Sequence, residues 1–145
     1  MAESKYAKGI YNPKHPEKYI GTKDPVYRSS WELVFFNFAD NHPSVIQWAS
    51  EAIRIPYINP LTGANSIYIP DLFMVYQDRY SKRHAEVIEI KPLKESALEY
   101  AKTKRDKAAL AVNMVKWQCA QKWCAAKGFH FRVLTEQQLF QQKVK

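Results

Sequence analysis

From Ser29 onward the chain alternates between two hydrophobic periods. Ser29-Ser30-Trp31-Glu32 opens a segment in which Leu33 and Phe36 recur at turn spacing and Asp40 continues it, before Asn41-His42-Pro43 stops it. Ser29 with Glu32 three positions later fits a capping box, so the pattern predicts a first helix. Residues 45–50 and 52–57 switch to the strand period, the second with Ile53, Ile55 and Tyr57 alternating against Arg54 and Pro56. A turn cluster over 59–65 leads into a strand over 66–76 and a polar loop over 77–84. A strand over 85–91 follows, ended by Pro92, which has no N–H for a sheet ladder.

Past Pro92, Ser96-Ala97-Leu98-Glu99 repeats the capping-box pattern and predicts a long helical region toward Gly128, with room for a break near 103–106. Ala101, Ala108, Val115 and Val112, Cys119, Ala126 trace its apolar stripe. Residues 129–134 read as a short strand, and Thr135 as the cap of a terminal helix through Gln142. This order predicts an α/β domain over 29–145 with a mixed central sheet flanked by helices. Residues 1–28 lack periodicity. Their lysines and tyrosines, interrupted by Pro13, Pro16 and Pro25, read as an extended basic arm. Such an arm serves either as a strap stapled by its tyrosines or as a phosphate-contacting segment.

Charge sharpens the choice of partner. Lys and Arg number 22 against 14 Asp and Glu, a net charge of +8. That balance favours a polyanion, with nucleic acid the first candidate. The longest apolar runs, 108–112 and 33–36, are far below the roughly 20 residues of a membrane span. The N-terminus has no apolar run of the signal-peptide kind, so the expectation is a protein at work in a cytoplasm. Cys119 and Cys124 have no second cysteine pair to complete a zinc site, even with His130, and read as reduced core residues.

The candidate chemistry lies in two apolar stretches, each with an acidic residue: Ile69-Pro70-Asp71-Leu72-Phe73 and Val87-Ile88-Glu89-Ile90-Lys91. A carboxylate in such surroundings is costly unless a cation or hydrogen bonds compensate it. Strand alternation sends Glu89 and Lys91 to one face and Ile88 and Ile90 to the other. Two carboxylates and an ammonium at one sheet edge suit a divalent cation and phosphodiester hydrolysis. Mg²⁺ (or Mn²⁺ in its place) takes oxygen ligands and keeps several waters, so Asp71, Glu89 and the Ile90 carbonyl form a plausible set. Lys91 then stands near the attacking water, orienting it or offsetting transition-state charge. Spacing alone leaves open two exposed carboxylates and a salt-bridging lysine.

Pro70-Asp71 followed by Glu89-Ile90-Lys91 resembles the motif of the PD-(D/E)XK nuclease superfamily. The resemblance implies a restriction-endonuclease-like core of a helix, three strands, a helix and a strand. It also implies a metal-binding or buttressing role for Glu32, which the capping box with Ser29 explains nearly as well. Over about residues 26–96, Tyr27-Arg28-Ser29-Ser30-Trp31-Glu32, Ile46-Gln47-Trp48-Ala49-Ser50-Glu51, Ile55-Pro56-Tyr57 and the two motifs are similar to the head-completion nucleases of large contractile-tailed bacteriophages, and more distantly to TnsA-type transposon endonucleases. That likeness implies cleavage of DNA during phage head completion and head–tail joining, in the host cytoplasm or on the virion. DNA is then the substrate, and portal or neck proteins are candidate partners. A non-catalytic virion adaptor and a dimeric, structure-selective resolvase are the competing readings.

Arg28 and Arg54 flank the motif in sequence and could clasp phosphates or form surface ion pairs. Lys94, Lys102, Lys104, Arg105 and Lys107 form either a solvated helix face or a surface tracking the DNA backbone. Glu51 could support the site or be a turn carboxylate, His84 reads as solvated, and the four tryptophans read as core.

Overall fold

A computed structural model describes residues 9–137 of the chain. The first helix, α1 (Ser30–Asn41), begins where its cap predicts. Ser29 is extended, and its hydroxyl accepts the Glu32 N–H at 3.2 Å. The other half of the box differs: Glu32 Oε1 accepts the Arg28 N–H, one residue earlier than the Ser29 amide. The strands are β1 (Gly9–Ile10), β2 (Val26–Tyr27), β3 (Val45–Ser50), β4 (Ile55–Ile58), β5 (Asn65–Tyr68), β6 (Leu72–Gln77), β7 (Arg83–Ile90) and β8 (His130–Leu134). The second helix, α2 (Lys104–Lys127), lies between β7 and β8.

The central sheet has the order β3-β6-β7-β8. Among its first three strands each neighbour is antiparallel to the next, whereas β8 runs parallel to β7. That parallel pair requires a crossover, and α2 provides it. Alternation along the strands makes two cores. Phe35 and Phe36 of α1 pack with Trp48, Leu72, Met74, Ile88, Ile90 and Leu134 on one side. Ile55, Tyr68 and Ala120 form the other, with Trp117, Trp123 and Phe131 packed against them.

The strand expected over 66–76 is two strands. Pro70 has no N–H to donate to a ladder, so the chain leaves the β4–β5 hairpin and joins the central sheet as β6. Asp71 stands at the junction. The strand expected from residue 52 starts only at Ile55, because Glu51 turns the chain with φ 52°. The 77–84 loop is also shorter than expected. Asp78 Oδ1 accepts the Tyr80 and Lys82 N–H groups, and β7 begins at Arg83. His84 is not solvated: it is half-buried, stacks on Tyr76, and meets Asp78 Oδ2 at 2.8 Å.

Ser96 does not cap a helix. Its hydroxyl donates to the Leu93 carbonyl, and residues 93–95 and 98–100 form single 3₁₀ turns. The helix starts after Thr103, whose side chain and that of Asp106 complete a reciprocal capping box. The buried stripe of α2 is Leu110, Ala120 and Cys124, with Trp117 and Trp123 beside it, and Ala126 of the expected stripe is exposed. The two large indoles bury more area than the alanines and valines, and they decide which face turns inward. Gly128 ends the helix with φ 76°, as its position predicts. Thr135 Oγ1 accepts the Gln137 N–H, and the rest of the terminal helix expected through Gln142 lies outside the described residues.

Between residues 9 and 28 the chain lies against α1 and β3. Tyr11 and Tyr19 meet the Trp48 ring edge-on, at 5.9 and 4.7 Å between centroids. Tyr11 donates its hydroxyl proton to Asp40 Oδ2 at 2.6 Å, and the Lys14 and His15 N–H groups also donate to that carboxylate. Lys18 Nζ donates to the Asp40 and His42 carbonyls, placing a cation at the negative end of α1.

Candidate active site

Asp71 owes its position to the Pro70 break. In the β6–β7 register Leu72 pairs with Ile88, so the next step outward sets Asp71 opposite Glu89, with both side chains on one face. Asp71 Oδ2 accepts the Ile90 N–H at 2.7 Å, locking the first carboxylate to the strand that carries the second. Glu89 is 8% exposed, and its Oε1 accepts the Tyr68 hydroxyl at 2.8 Å. Its Oε2 lies 4.0 Å from Lys91 Nζ. The Lys91 N–H donates to the Leu134 carbonyl, which ties the backbone of that lysine to the end of β8.

These carboxyls resist ionisation. Burial raises Asp71 well above the usual carboxylate range, and the negative charges of Glu89 and Glu32 push the same way. Burial also raises Glu89, against the Tyr68 hydrogen bond and the charges of Lys91 and Lys116. Glu32 rises for the same first reason, with Glu51 adding repulsion and the Arg28 N–H opposing it. The Tyr68 hydroxyl is raised by burial and by Glu89, so it remains a proton donor to that carboxylate. The result is a local excess of negative charge in a basic protein, and a bound cation would relieve it.

The donor set fits a hard cation that keeps much of its water. Among the described residues no three His, Cys, Asp or Glu side chains group to hold one ion, which is what a structural zinc site would need. Two carboxylates with an ammonium beside them suit Mg²⁺ or Mn²⁺. Glu32 belongs to the same electrostatic field. Its own contacts, however, are local: the Arg28 N–H at 3.2 Å and the Ser29 hydroxyl at 3.5 Å. Glu51 occupies the left-handed region, a conformation costing roughly 1 kcal/mol or more for a residue with a Cβ. Its N–H donates to the Asp71 carbonyl at 3.0 Å, so this strained turn braces the backbone beneath Asp71.

The basic candidates separate. Arg28 faces Glu51 with two guanidinium nitrogens, at 3.1 and 3.4 Å. Arg54 is exposed in the turn before β4. Lys94, Lys102 and Arg105 line one groove, with Tyr100 on its wall, between the 3₁₀ turns and the start of α2. Lys104 is exposed on the first turn of α2, outside that groove. Two groups at the site are not singled out by the sequence pattern. Tyr68 had a signal, three positions before Asp71 and ahead of the proline break. Lys116, far along α2, had none.

A helix, three antiparallel strands, a crossover helix and a parallel strand, with an aspartate, a glutamate and a lysine gathered at one end of the sheet, define a nuclease of the PD-(D/E)XK type. The model of the TnsA-like endonuclease N-terminal family matches residues 42–136, a span that includes Asp71, Glu89 and Lys91 and begins after α1 and Glu32. The chain belongs to that family. It is also 37% identical over 139 residues to the "Head completion nuclease" of Enterobacteria phage T4, covering 88% of this chain and 90% of that protein.

Proposed function

We propose that this nuclease hydrolyses phosphodiester bonds of DNA with Mg²⁺ held by Asp71, Glu89 and the Ile90 carbonyl, and that it acts in phage head completion. The observation that carries this reading is the meeting of Asp71, Glu89 and Lys91 across paired strands. When bound, Mg²⁺ supplies Lewis acidity and charge neutralisation at the attacked phosphate. The chain's own residues do the rest. The Ile90 N–H and the Tyr68 hydroxyl orient the two carboxylates, and the Lys91 ammonium orients the attacking water and offsets charge building on the phosphate oxygens. Glu32 buttresses the pair from α1 and adds to the field that attracts the cation.

Arg54, Lys94, Lys102, Lys104 and Arg105 are assigned to phosphate contacts, and Arg28 joins them by exchanging Glu51 for DNA. Such contacts set register without reading bases, so cleavage has low sequence specificity. The role in head completion rests on the name of the T4 relative. It implies work in the host cytoplasm during assembly, with portal or neck proteins as neighbours. The test is incubation of the purified protein with linear and supercoiled DNA plus Mg²⁺ or Mn²⁺, beside Asp71→Ala and Lys91→Ala. Cleavage by the wild type alone is expected. Equal inertness of all three proteins would sink the proposal.

A further inference from the structure

Lys116 projects from α2 toward the two strands next to the catalytic pair. Its Nζ lies over the faces of two tyrosines, 5.7 Å from the Tyr57 ring centroid and 5.6 Å from that of Tyr68. The hydroxyl of the same Tyr68 donates to Glu89 Oε1. Glu89 is thus approached from two sides. Lys91 stands at Oε2, and Lys116 stands behind the tyrosine that holds Oε1.

The two lysines differ in what they meet. Lys91 lies at ion-pair distance from Glu89, whereas Lys116 is half-buried and makes no ion pair or hydrogen bond with any described residue. It is close enough to act on the charge of Glu89 without neutralising it. An ammonium steadied by ring faces, with no acceptor of its own among the described residues, is suited to an anion arriving from solution. Lys127 over Trp123 also makes a cation–π contact, but it sits in the last turn of α2, where it favours the helix's own carbonyls.

We propose that Lys116 is a phosphate-contacting residue of the active site, holding a backbone phosphate of the strand being cut on the Tyr68 side of Glu89. The proposal rests on the reading of this site as a DNA-cleaving one. It gives Tyr57 and Tyr68 a second task, that of keeping the ammonium extended in the absence of substrate. It also makes the middle of α2 part of the DNA track, extending the groove lined by Lys94, Lys102 and Arg105 near the start of the same helix.

Binding of a duplex oligonucleotide to the full chain, with Ca²⁺ replacing Mg²⁺ so that the strand stays intact, tests this across a salt series. Lys116→Gln is expected to weaken binding roughly tenfold at about 0.1 M salt and to reduce the salt slope by about 0.9. KM should rise with kcat little changed, and Lys116→Arg should restore both KM and binding. An unchanged slope, or a loss confined to kcat, overturns the assignment. Should Lys116→Gln fail to fold, acetylation of the wild-type lysines, read by mass spectrometry, decides the matter: bound duplex must shield Lys116, and equal labelling with and without DNA overturns the proposal. Wild-type protein that neither binds nor cuts DNA would remove the underlying reading instead. Normal cleavage with Lys116 unshielded would remove only this one.

Discussion

The Ile90 amide donates to Asp71 Oδ2 at 2.7 Å, so one proposed metal ligand is oriented by the backbone of the strand that bears the other. Asp71→Asn retains an acceptor for that amide while deleting the charge that Glu89 and Glu32 oppose. We therefore expect the variant to fold and, in a metal chelator, to unfold about 3 °C above wild type, the size of a change near 1 kcal/mol in a chain of this length. Mg²⁺ or Mn²⁺ should raise the wild-type midpoint but leave the variant unmoved, and cleavage should fall more than about 100-fold, beyond the loss usual for an outer-sphere partner. The sign of the pH effect follows from the raised carboxyls. In metal-free protein their penalty is absent below the unfolded value near 4 and grows as pH rises toward the folded one. Stabilisation by metal should accordingly grow across the same window. Scanning fluorimetry with and without metal checks each part.

Tyr68 reaches Glu89 from a hairpin outside the central sheet, and its hydroxyl is the donor to Oε1. Tyr68→Phe leaves the ring packed against Phe131 and under Lys116 but strips that proton from a buried carboxylate. The expected result is a stability loss of about 2 kcal/mol. We also expect a fall in kcat of roughly 10- to 100-fold, since a ligand that loses its orienting partner loses metal affinity or activity on that scale. DNA affinity in Ca²⁺ should stay close to wild type. A tenfold weaker Kd would show that the hydroxyl contacts substrate rather than Glu89.

Local punctuation made much of this architecture legible. Ser29 before α1, Gly128 after α2 and Pro92 beyond β7 each act within a few residues, and each stands where the sequence predicts. Asp71, Glu89 and Lys91 were legible as well, because a charge inside a β-branched run is conspicuous and strand alternation assigns its face. What escaped depends on partners remote in the chain. Residues 66–76 carry one apolar pattern on either side of Pro70-Asp71, and pairing with β4 on one side and β7 on the other shows that Pro70 divides it into two strands. The start of α2 is ambiguous in sequence because Ser96-Ala97-Leu98-Glu99 and Thr103-Lys104-Arg105-Asp106 are similar local signals, and only the second closes its hydrogen bonds. Lys116 looks like any lysine on a helix until Tyr57 and Tyr68 come beneath it.

Glu32 is a cap residue and an electrostatic neighbour of Asp71 at once, and substitution can separate the roles. Glu32→Gln keeps an oxygen for the Arg28 N–H and leaves its own backbone N–H for the Ser29 hydroxyl. We expect that variant to unfold within about 0.5 kcal/mol of wild type. Its cleavage should nevertheless drop roughly tenfold or more, with a higher Mg²⁺ concentration needed for half-maximal rate, as befits a charge that helps hold the ion. Glu32→Ala should show the same kinetic loss plus about 1 kcal/mol of instability from the missing cap. Full activity in Glu32→Gln would reduce the residue to a cap.

Asp40 ties part of the fold's stability to pH. Its carboxylate lies buried near the end of α1 and accepts the Tyr11 hydroxyl with the Lys14 and His15 amides. Burial opposes the charge, but those three donors outweigh it and hold the carboxyl below its ordinary range. A lowered folded value contributes stability above the unfolded value near 4 and withdraws it as pH falls through the folded one. Asn at this position presents an NH₂ to donors on one side, so Asp40→Asn should cost about 3 kcal/mol at pH 7, and Tyr11→Phe about 1.5. The gap between Asp40→Asn and wild type should then narrow in unfolding curves as pH falls below 4, because the wild type alone loses the charged acceptor. Cleavage by folded Tyr11→Phe should match wild type, since Tyr11 packs on Trp48 and Phe36, on the side of the sheet opposite Tyr68 and α2. A gap that stays constant from pH 7 to pH 3 would mean that the charge on Asp40 adds nothing and that the three hydrogen bonds act as neutral ones.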